Sequence, residues 1–436
     1  MTSVPAAPPA VRTASPSTAR AINDRLALRL LQERGPLTAT QLKALTGLSR
    51  PTVADLVERL RVSGLIRVVG ESGAERRGPN ARLYGIAADR AYLAALDVRT
   101  HSVQVLVADL LGRTLAEATR PVGTDGGAEK NGGAKGKGAG KGKGADDAGG
   151  TEEAVAQVVA LLERTAREAG APGLHTVGIG APGLVDPSTG ELRDTGGLPA
   201  WHRSLVAVLN ERLPATVLLE NETNLAAVAE QRIGAARDQD TFVLLWLGHG
   251  TGAAVVLDGS LRRGASGGAG EIGWLPVPLT AALPSATHCE GGFHSLAGSG
   301  AIVELAAEHG ITAAVEPGGV PGAALVRAAL AAVAGAGAGA GAGASAGSFL
   351  DTLAERIALG AASVAAVLDP GCVVLGGEIG HAGGGALAAR VEARLSAMSP
   401  LPTRVRAGSL GGTAVLHGAL LAARDAAQDE LFSPRG

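Results

Sequence analysis

The chain has 436 residues, of which 46% are hydrophobic and 2% aromatic, and a formal net charge of −2. That length allows about three domains, the apolar content suffices for a core of Leu, Val and Ala, and no apolar run reaches the roughly 18 residues of a membrane span. Two cysteines, Cys289 and Cys372, cannot make a disulfide framework, and residues 1–19 lack the apolar core of a signal peptide, so a cytoplasmic protein is expected.

The Pro-, Ala- and Ser-rich residues 1–19 read as a disordered leader. Ile22, Leu26 and Leu30 then mark a first helix. Thr38 is an N-cap with Gln41 three residues on, a capping box, and Leu37 can pack on Leu42 as a hydrophobic staple. The grammar repeats at once. Ser49 caps a second short helix, Pro51 falls in its first turn, Leu48 can staple onto Val53, and Val53, Leu56, Val57 and Leu60 recur at helical spacing. A Gly turn joins the two helices, which is the shape of a helix-turn-helix DNA reader. Ser49, Arg50 and Thr52 lie at the N-terminal end of the second helix, the end that meets bases and phosphates.

Two strands follow, residues 65–69 and 82–86, and the segment between them reads as a wing. Its Arg76 and Arg77, with Asn80, are placed to touch phosphates or enter a minor groove. The predicted DNA-binding set is therefore Thr38, Gln41, Ser49, Arg50, Thr52, Val53, Arg76, Arg77 and Asn80. Charge agrees: residues 1–90 hold 14 Arg and Lys against 7 Asp and Glu, a balance of +7, so the remaining residues of this −2 chain carry −9. A basic module beside an acidic one is an electrostatic footprint for nucleic acid. The plainer alternative is a small helical dimerisation module with a solvated basic face.

Beyond residue 90, paired strands at 92–98 and 103–109 precede a helix at 151–169. A strand at 176–180 follows, then a helix at 203–212, a strand at 216–220, a helix at 223–235, and a hairpin of 241–247 with 253–257. Alternation of this kind, with a hairpin opening each half, indicates an α/β body in two lobes. Residues 123–150, with five lysines among glycines, and residues 335–347, an Ala-Gly run, read as flexible insertions.

Five short motifs then fall in a telling order: Gly178-Ile-Gly-Ala-Pro-Gly-Leu-Val-Asp186, Glu220-Asn-Glu-Thr-Asn-Leu-Ala-Ala227 running on to Glu230, Leu247-Gly-His-Gly-Thr-Gly252, Ala269-Gly-Glu-Ile-Gly273 and Val374-Leu-Gly-Gly377. Each is weak alone. Together, behind a winged helix, they make the chain resemble the ROK family (repressors, open reading frames and kinases), in particular its repressor branch, from about Arg20 to Ala427. The resemblance implies a winged helix-turn-helix at 20–88, a two-lobed actin-like, sugar-kinase-like α/β fold at 89–427, and a tail at 428–436.

It also implies a site. The family's first phosphate turn reads Asp-x-Gly-Gly-Thr; here Asp97-Val-Arg-Thr replaces the paired glycines with Arg99 and Thr100, whose side chains obstruct phosphate approach. The family's catalytic Asp is Glu222, one methylene longer, so Glu222 and Asp97 are expected to be vestigial and catalysis lost. Sugar-binding positions map to Asn221, Glu222, Glu271, Trp274 (in place of the motif His) and His294. Asn221 and Glu222 have the alternative role of capping the helix that begins near Thr223. The family's zinc loop corresponds to His288-Cys-Glu-Gly-Gly-Phe-His294, where His288, Cys289 and His294 lack structural-zinc spacing and a fourth ligand. Neither zinc nor ATP is expected as a cofactor.

The reading is a transcription regulator, a repressor that binds a double-stranded DNA operator as a homodimer or dimer of dimers, answers to a carbohydrate-like effector and has no membrane partner. The alternatives are a sugar kinase with a DNA-binding appendage and a constitutive regulator with a decayed pocket.

Overall fold

A computed structural model describes residues 16–72, 81–100, 102–122, 144–193, 200–335 and 340–433. The chain divides into two units. The first gathers residues 1–93, 108–113 and 424–436; the second holds 94–107 and 114–423.

In the first unit, α1 (Pro16–Arg34), α2 (Ala39–Thr46) and α3 (Arg50–Val62) form the helical part, and β1 (Leu37–Thr38), β2 (Ile66–Ser72) and β3 (Ala81–Ile86) form a sheet in the order β1-β3-β2. The predicted capping box is present at α2: the Gln41 amide N–H donates to the Thr38 hydroxyl, and the Gln41 side-chain carbonyl accepts from the Thr38 amide at 2.8 Å. Gly47 ends α2 at φ 69°, a left-handed turn that suits glycine, and Ser49 caps α3 by accepting from the Thr52 amide. Leu28, Leu42, Val53, Leu56, Leu60 and Ile66 are buried at its centre.

The first helix marked by Ile22, Leu26 and Leu30 is present as α1, but its buried side is Ala27, Leu28 and Leu31, while Ile22 is 59% exposed and Leu26 39%. The helix is apolar on more than one face, and packing chose the other. An ion pair fixes that choice, Arg59 of α3 reaching Asp24 of α1 at 2.6 Å. The predicted tail is also part of this unit: Phe432 is buried, Gln428 donates to the Leu110 carbonyl at 3.0 Å, and Arg25 pairs with Asp429 at 2.7 Å.

The second unit carries two five-stranded sheets. Its elements are β4 (Tyr92–Val98), β5 (Ser102–Asp109), β6 (Thr114–Pro121), α4 (Gly144–Glu168), β7 (Thr176–Ala181), α5 (Ala200–Arg212), β8 (Thr216–Asn221) and α6 (Glu222–Ile233), then β9 (Phe242–Leu247), β10 (Thr251–Leu257), β11 (Ser260–Arg262), α7 (His294–Ala297), α8 (Ser299–Glu308), α9 (Pro321–Ala334), α10 (Ala340–Leu368), β12 (Cys372–Gly376), α11 (Gly377–Met398), β13 (Arg404–Ala407) and α12 (Ala414–Leu431). The ends of β4, β5 and α12 run into the first unit. The sheets are ordered β6-β5-β4-β7-β8 and β11-β10-β9-β12-β13. Both place their strands third, second, first, fourth, fifth, so one topology is used twice. β7 with β8, β9 with β12, and β12 with β13 are parallel, whereas β9–β10–β11 is an antiparallel meander.

The core is aliphatic, as composition required, but Phe242, Phe293 and Phe349 are fully buried within it. Part of the Ala-Gly run read as an insertion is helix: α10 starts at Ala340, Ala346 is buried, and the Ser345 hydroxyl donates to the His309 carbonyl at 2.6 Å. Alanine is the best helix former, so such a run can fold once its face is covered. Residues 144–150 of the lysine-rich segment likewise belong to α4, while 123–143 lie outside the described residues.

Close backbone contacts set the position of α6 and α12. A methyl group at Gly418 of α12 would lie 2.1 Å from the Leu225 carbonyl oxygen of α6, and one at Gly178 of β7 would lie 2.3 Å from that of Ala419. Gly418→Ala is therefore expected to destabilise the second unit by about 1–3 kcal/mol, measured by urea denaturation; a variant as stable as the parent would show that α12 can shift freely.

Candidate functional site

The first candidate surface is the N-terminal end of α3. Ser49, Arg50 and Gln41 are exposed and Thr52 is half-buried, and the Ser49 and Thr52 hydroxyls share a hydrogen bond of 2.8 Å. Arg50 is the cation of this end. Two predicted DNA contacts are not available: Val53 is 3% exposed and packs in the core, and Thr38 is 6% exposed with its hydroxyl and amide both engaged by Gln41. Both residues hold the helices that present the others. Arg76, Arg77 and Asn80 lie outside the described residues.

The second candidate surface is the cleft of the α/β unit. Asn221 caps α6, its carbonyl oxygen accepting from the Thr223 and Asn224 amides, and its Nδ2 donates to the Gly183 carbonyl at 2.8 Å. The capping role is thus realised, and one amide N–H of Asn221 remains for a ligand. Glu222 follows on the first turn of α6. The residue is half-buried, but its carboxyl lies in the dry part of the cleft with Asp97, Glu378 and Arg99 around it. Burial, then the neighbouring Asp97 and Glu378 carboxylates, push it up to about 8; Arg99 pulls the other way. A Glu222 that holds its proton at neutral pH is a donor to a hydroxyl, not a base.

Asp97 is fully buried at the end of β4. Its Oδ2 accepts from Arg99 at 2.9 Å, and its Oδ1 has no hydrogen-bond partner among the described residues. Burial raises its carboxyl and Arg99 opposes that. Arg99 also donates to Glu378 Oε1 at 2.6 Å. Glu378 was missed in the sequence; an acid straight after the Gly376-Gly377 turn was the available sign.

Glu271 and His294 approach the same region through the start of β10. A Cβ at Gly252 would be 3.4 Å from the Thr223 hydroxyl of α6, and one at Gly273 would be 3.2 Å from the Thr251 carbonyl and 3.8 Å from His294 Cβ. Burial raises the Glu271 carboxyl and lowers the His294 imidazole, so both favour their neutral forms. Trp274 is 39% exposed, and its indole N–H donates to the Ser285 carbonyl at 3.0 Å. A separate cleft of about 810 Å3 runs beside β8, lined by Val217, Leu219, Asn210 and Arg263 among others; Glu222 and Glu271 do not line it.

The doubled five-stranded α/β body is matched by a family model. The ROK family model covers residues 145–426. The chain belongs to the ROK family. A MarR family model matches residues 22–78, the winged module. The DNA-binding transcriptional dual regulator NagC of Escherichia coli K12 is 25% identical over 258 residues, 59% of this chain and 57% of that protein. The match thus spans just over half the length of that relative. A solved ROK family transcriptional regulator, a homolog of the E. coli MLC protein, has the same fold at a TM-score of 0.68 and 20% identity, covering 95% of this chain and 98% of the other. The ROK hexokinase of Thermus thermophilus matches 78% of this chain and 99% of its own at a TM-score of 0.56 and 25% identity.

The loop at 288–294 carries the candidate metal-ligating side chains His288, Cys289 and His294. The zinc-loop positions give no cluster of three His, Cys, Asp or Glu side chains among the described residues. Burial raises the Cys289 thiol, which disfavours the thiolate a zinc ion needs, and the His294 ring packs against Gly298, where a Cβ would come within 2.8 Å. The loop is held by other bonds: Trp274 to Ser285, the Ser285 hydroxyl to the Thr287 and His288 amides, and the Ser295 hydroxyl to the Gly291 amide. Arg99, paired with Asp97 and Glu378, occupies the turn after β4. No described helix is long and apolar enough to cross a membrane.

The Glu222 carboxyl gives a pH test. The ordinary glutamate value is 4.5 and the folded value about 8, so between them the folded state keeps a proton that the unfolded state has lost, and stability falls as pH rises through that window. Glu222→Gln should become more stable relative to the parent as pH rises from about 5 to about 8, by at most about 1.4 kcal/mol for each pH unit. Urea melts of both proteins across that range check it, and a constant difference would refute the assignment.

Proposed function

We propose that this ROK protein is a sequence-specific DNA-binding repressor whose α/β body binds a carbohydrate-like effector and does not phosphorylate it. The observation that carries the reading is the pairing of an exposed recognition-helix end, Ser49-Arg50-Pro51-Thr52, with a cleft whose first phosphate turn holds Arg99 in ion pairs. In this reading Arg50 and Thr52 address base edges, Ser49 and Gln41 address phosphates, and Arg76, Arg77 and Asn80 of the wing add backbone or minor-groove contacts. Two copies present two recognition helices to successive major grooves of a near-palindromic operator.

The effector meets hydroxyl-binding groups at Asn221, Glu222, Glu271 and His294, with Trp274 beside them. Differential affinity of the ligand for the operator-competent and operator-free states then sets repression. A kinase reading is the runner-up, because the Gly248–Gly252 turn is retained. It is disfavoured by Glu222, which holds its proton at neutral pH and is a poor acceptor for a sugar hydroxyl proton. A coupled phosphorylation assay over a panel of sugars is expected to show no turnover above background.

Operator fragments can be selected from random DNA and measured by fluorescence anisotropy. Affinity should fall linearly on a log scale with salt. Arg50→Ala should cost about 1–3 kcal/mol at its base position. Unchanged affinity and unchanged sequence preference in that variant would remove α3 from the reader's role.

A further inference from the structure

Arg99 joins parts of the body that are far apart in sequence and belong to different sheets. Its Nε and Nη2 both lie 2.9 Å from Asp97 Oδ2 on β4, in the first sheet. Its Nη1 donates to Glu378 Oε1 at 2.6 Å, and Glu378 opens α11 directly after β12, in the second sheet. Its Nη2 also reaches the Gly412 carbonyl at 3.4 Å, in the turn after β13. The pair is not an exposed one: Asp97 is fully buried, and the Arg99 and Glu378 side chains are about three-quarters covered. Pairs so placed are screened far less than surface pairs.

The second oxygen of Glu378 lies against the other phosphate turn. A Cβ at Gly248 would sit 2.7 Å from Glu378 Oε2, and one at Gly377 would sit 2.4 Å from the Leu247 carbonyl. The first glycine of the Gly248–Gly252 turn is therefore backed by a carboxylate of the same chain, while a Cβ at Gly250 would meet nothing within 4 Å. With Glu222 protonated, Asp97 and Glu378 still outnumber the single guanidinium, so an arriving phosphoryl group would meet excess negative charge.

We propose that Arg99 and Glu378 form an internal clamp across the cleft, standing where nucleotide phosphates would lie, so that the two lobes are tied at that end without nucleotide. The ligand then enters beside Glu222 and Glu271 and carries no phosphoryl group toward Arg99; this second clause rests on the carbohydrate reading above, and the clamp itself does not.

Hydrogen exchange of the full-length protein reads the clamp. Glu378→Gln keeps Arg99 on Asp97, so it is expected to fold, and it should speed amide exchange both at residues 97–100 and at residues 248–252. Arg99→Gln should do the same, and the double variant should add little to either. Arg193→Gln, which breaks the exposed Arg193–Asp186 pair, is the control and should leave both segments unchanged. Calorimetric titration with magnesium ATP and with inorganic phosphate should show no saturable binding to the parent, and a gain of about tenfold or more with ATP in Glu378→Gln or in the Arg99→Gly, Glu378→Gln double variant, about 1.4 kcal/mol. Exchange changes confined to one lobe, or ATP binding as tight in the parent as in the variants, would overturn the clamp. No arm uses a sugar, so a body that binds no carbohydrate would leave the result standing.

Discussion

The body depends on backbone touching backbone at α12. Gly178 and Gly180 of β7 lie under this helix, and Gly418 on it faces α6. A methyl at Gly178 would be 2.3 Å from the Ala419 carbonyl, one at Gly180 would be 2.5 Å from a Val415 methyl, and one at Gly418 would be 2.1 Å from the Leu225 carbonyl. Contacts this short exist only where no Cβ intervenes, and they leave α6 little room to slide or turn. Because α6 begins with Asn221 and Glu222, its placement is the placement of the cleft's first polar groups. The loop that brings Glu271 is set the same way, Gly267 against the Val185 carbonyl and Gly270 against that of Ala253. Much of the glycine in this chain thus fixes distance, and the polar groups inherit their positions from it.

On that frame the electrostatics become one-sided. Asp97 is raised by burial and by Glu378, Glu222 by burial and by both Asp97 and Glu378, and Glu271 by burial alone. A kinase cleft needs an ionised acceptor near the sugar and bare backbone near the phosphates. Here the Glu222 carboxyl keeps its proton, and the Arg99 guanidinium lies between the carboxylates of Asp97 and Glu378. The His202 imidazole, close to the Arg99 backbone, is lowered by burial to about 4 and stays neutral, so it adds no positive charge to relieve the acids.

The sequence revealed whatever is decided locally. Thr38 with Gln41, and Ser49 with Pro51, specify helix starts within four residues, and the structure has both caps. Glycine turns and strand alternation located most of the body, and the order of five motifs supplied its doubled topology. What stayed hidden is decided by distant packing. Nothing local says which apolar stripe of α1 is covered, since Ile22 and Leu26 are as apolar as Leu28 and Leu31. The Ala-Gly run at the start of α10 has a linker's composition, and only burial of Ala346 against its neighbours makes it a helix. β6, with mostly exposed residues, carries almost no periodic signal. The partner of Arg99 could not be read at all, because Glu378 is 279 residues away.

The loop at 275–294 is ordered by its own hydrogen bonds and one buried ring. A zinc ion gathers thiolates and imidazoles from a loop and so closes it. Here Gly292 bridges to Pro276, the Phe293 amide donates to the Leu275 carbonyl at 2.9 Å, and the Phe293 ring is fully buried, with Gly360 of α10 leaving room for it. Trp274 and Ser285 close the outer end. Each of these bonds is weaker than a metal–thiolate bond, but together with one buried aromatic ring they order the same stretch. His294 follows Phe293 directly, and its ring lies against Gly298 at the start of α8. Cys289 in this loop is a half-buried thiol, raised by burial.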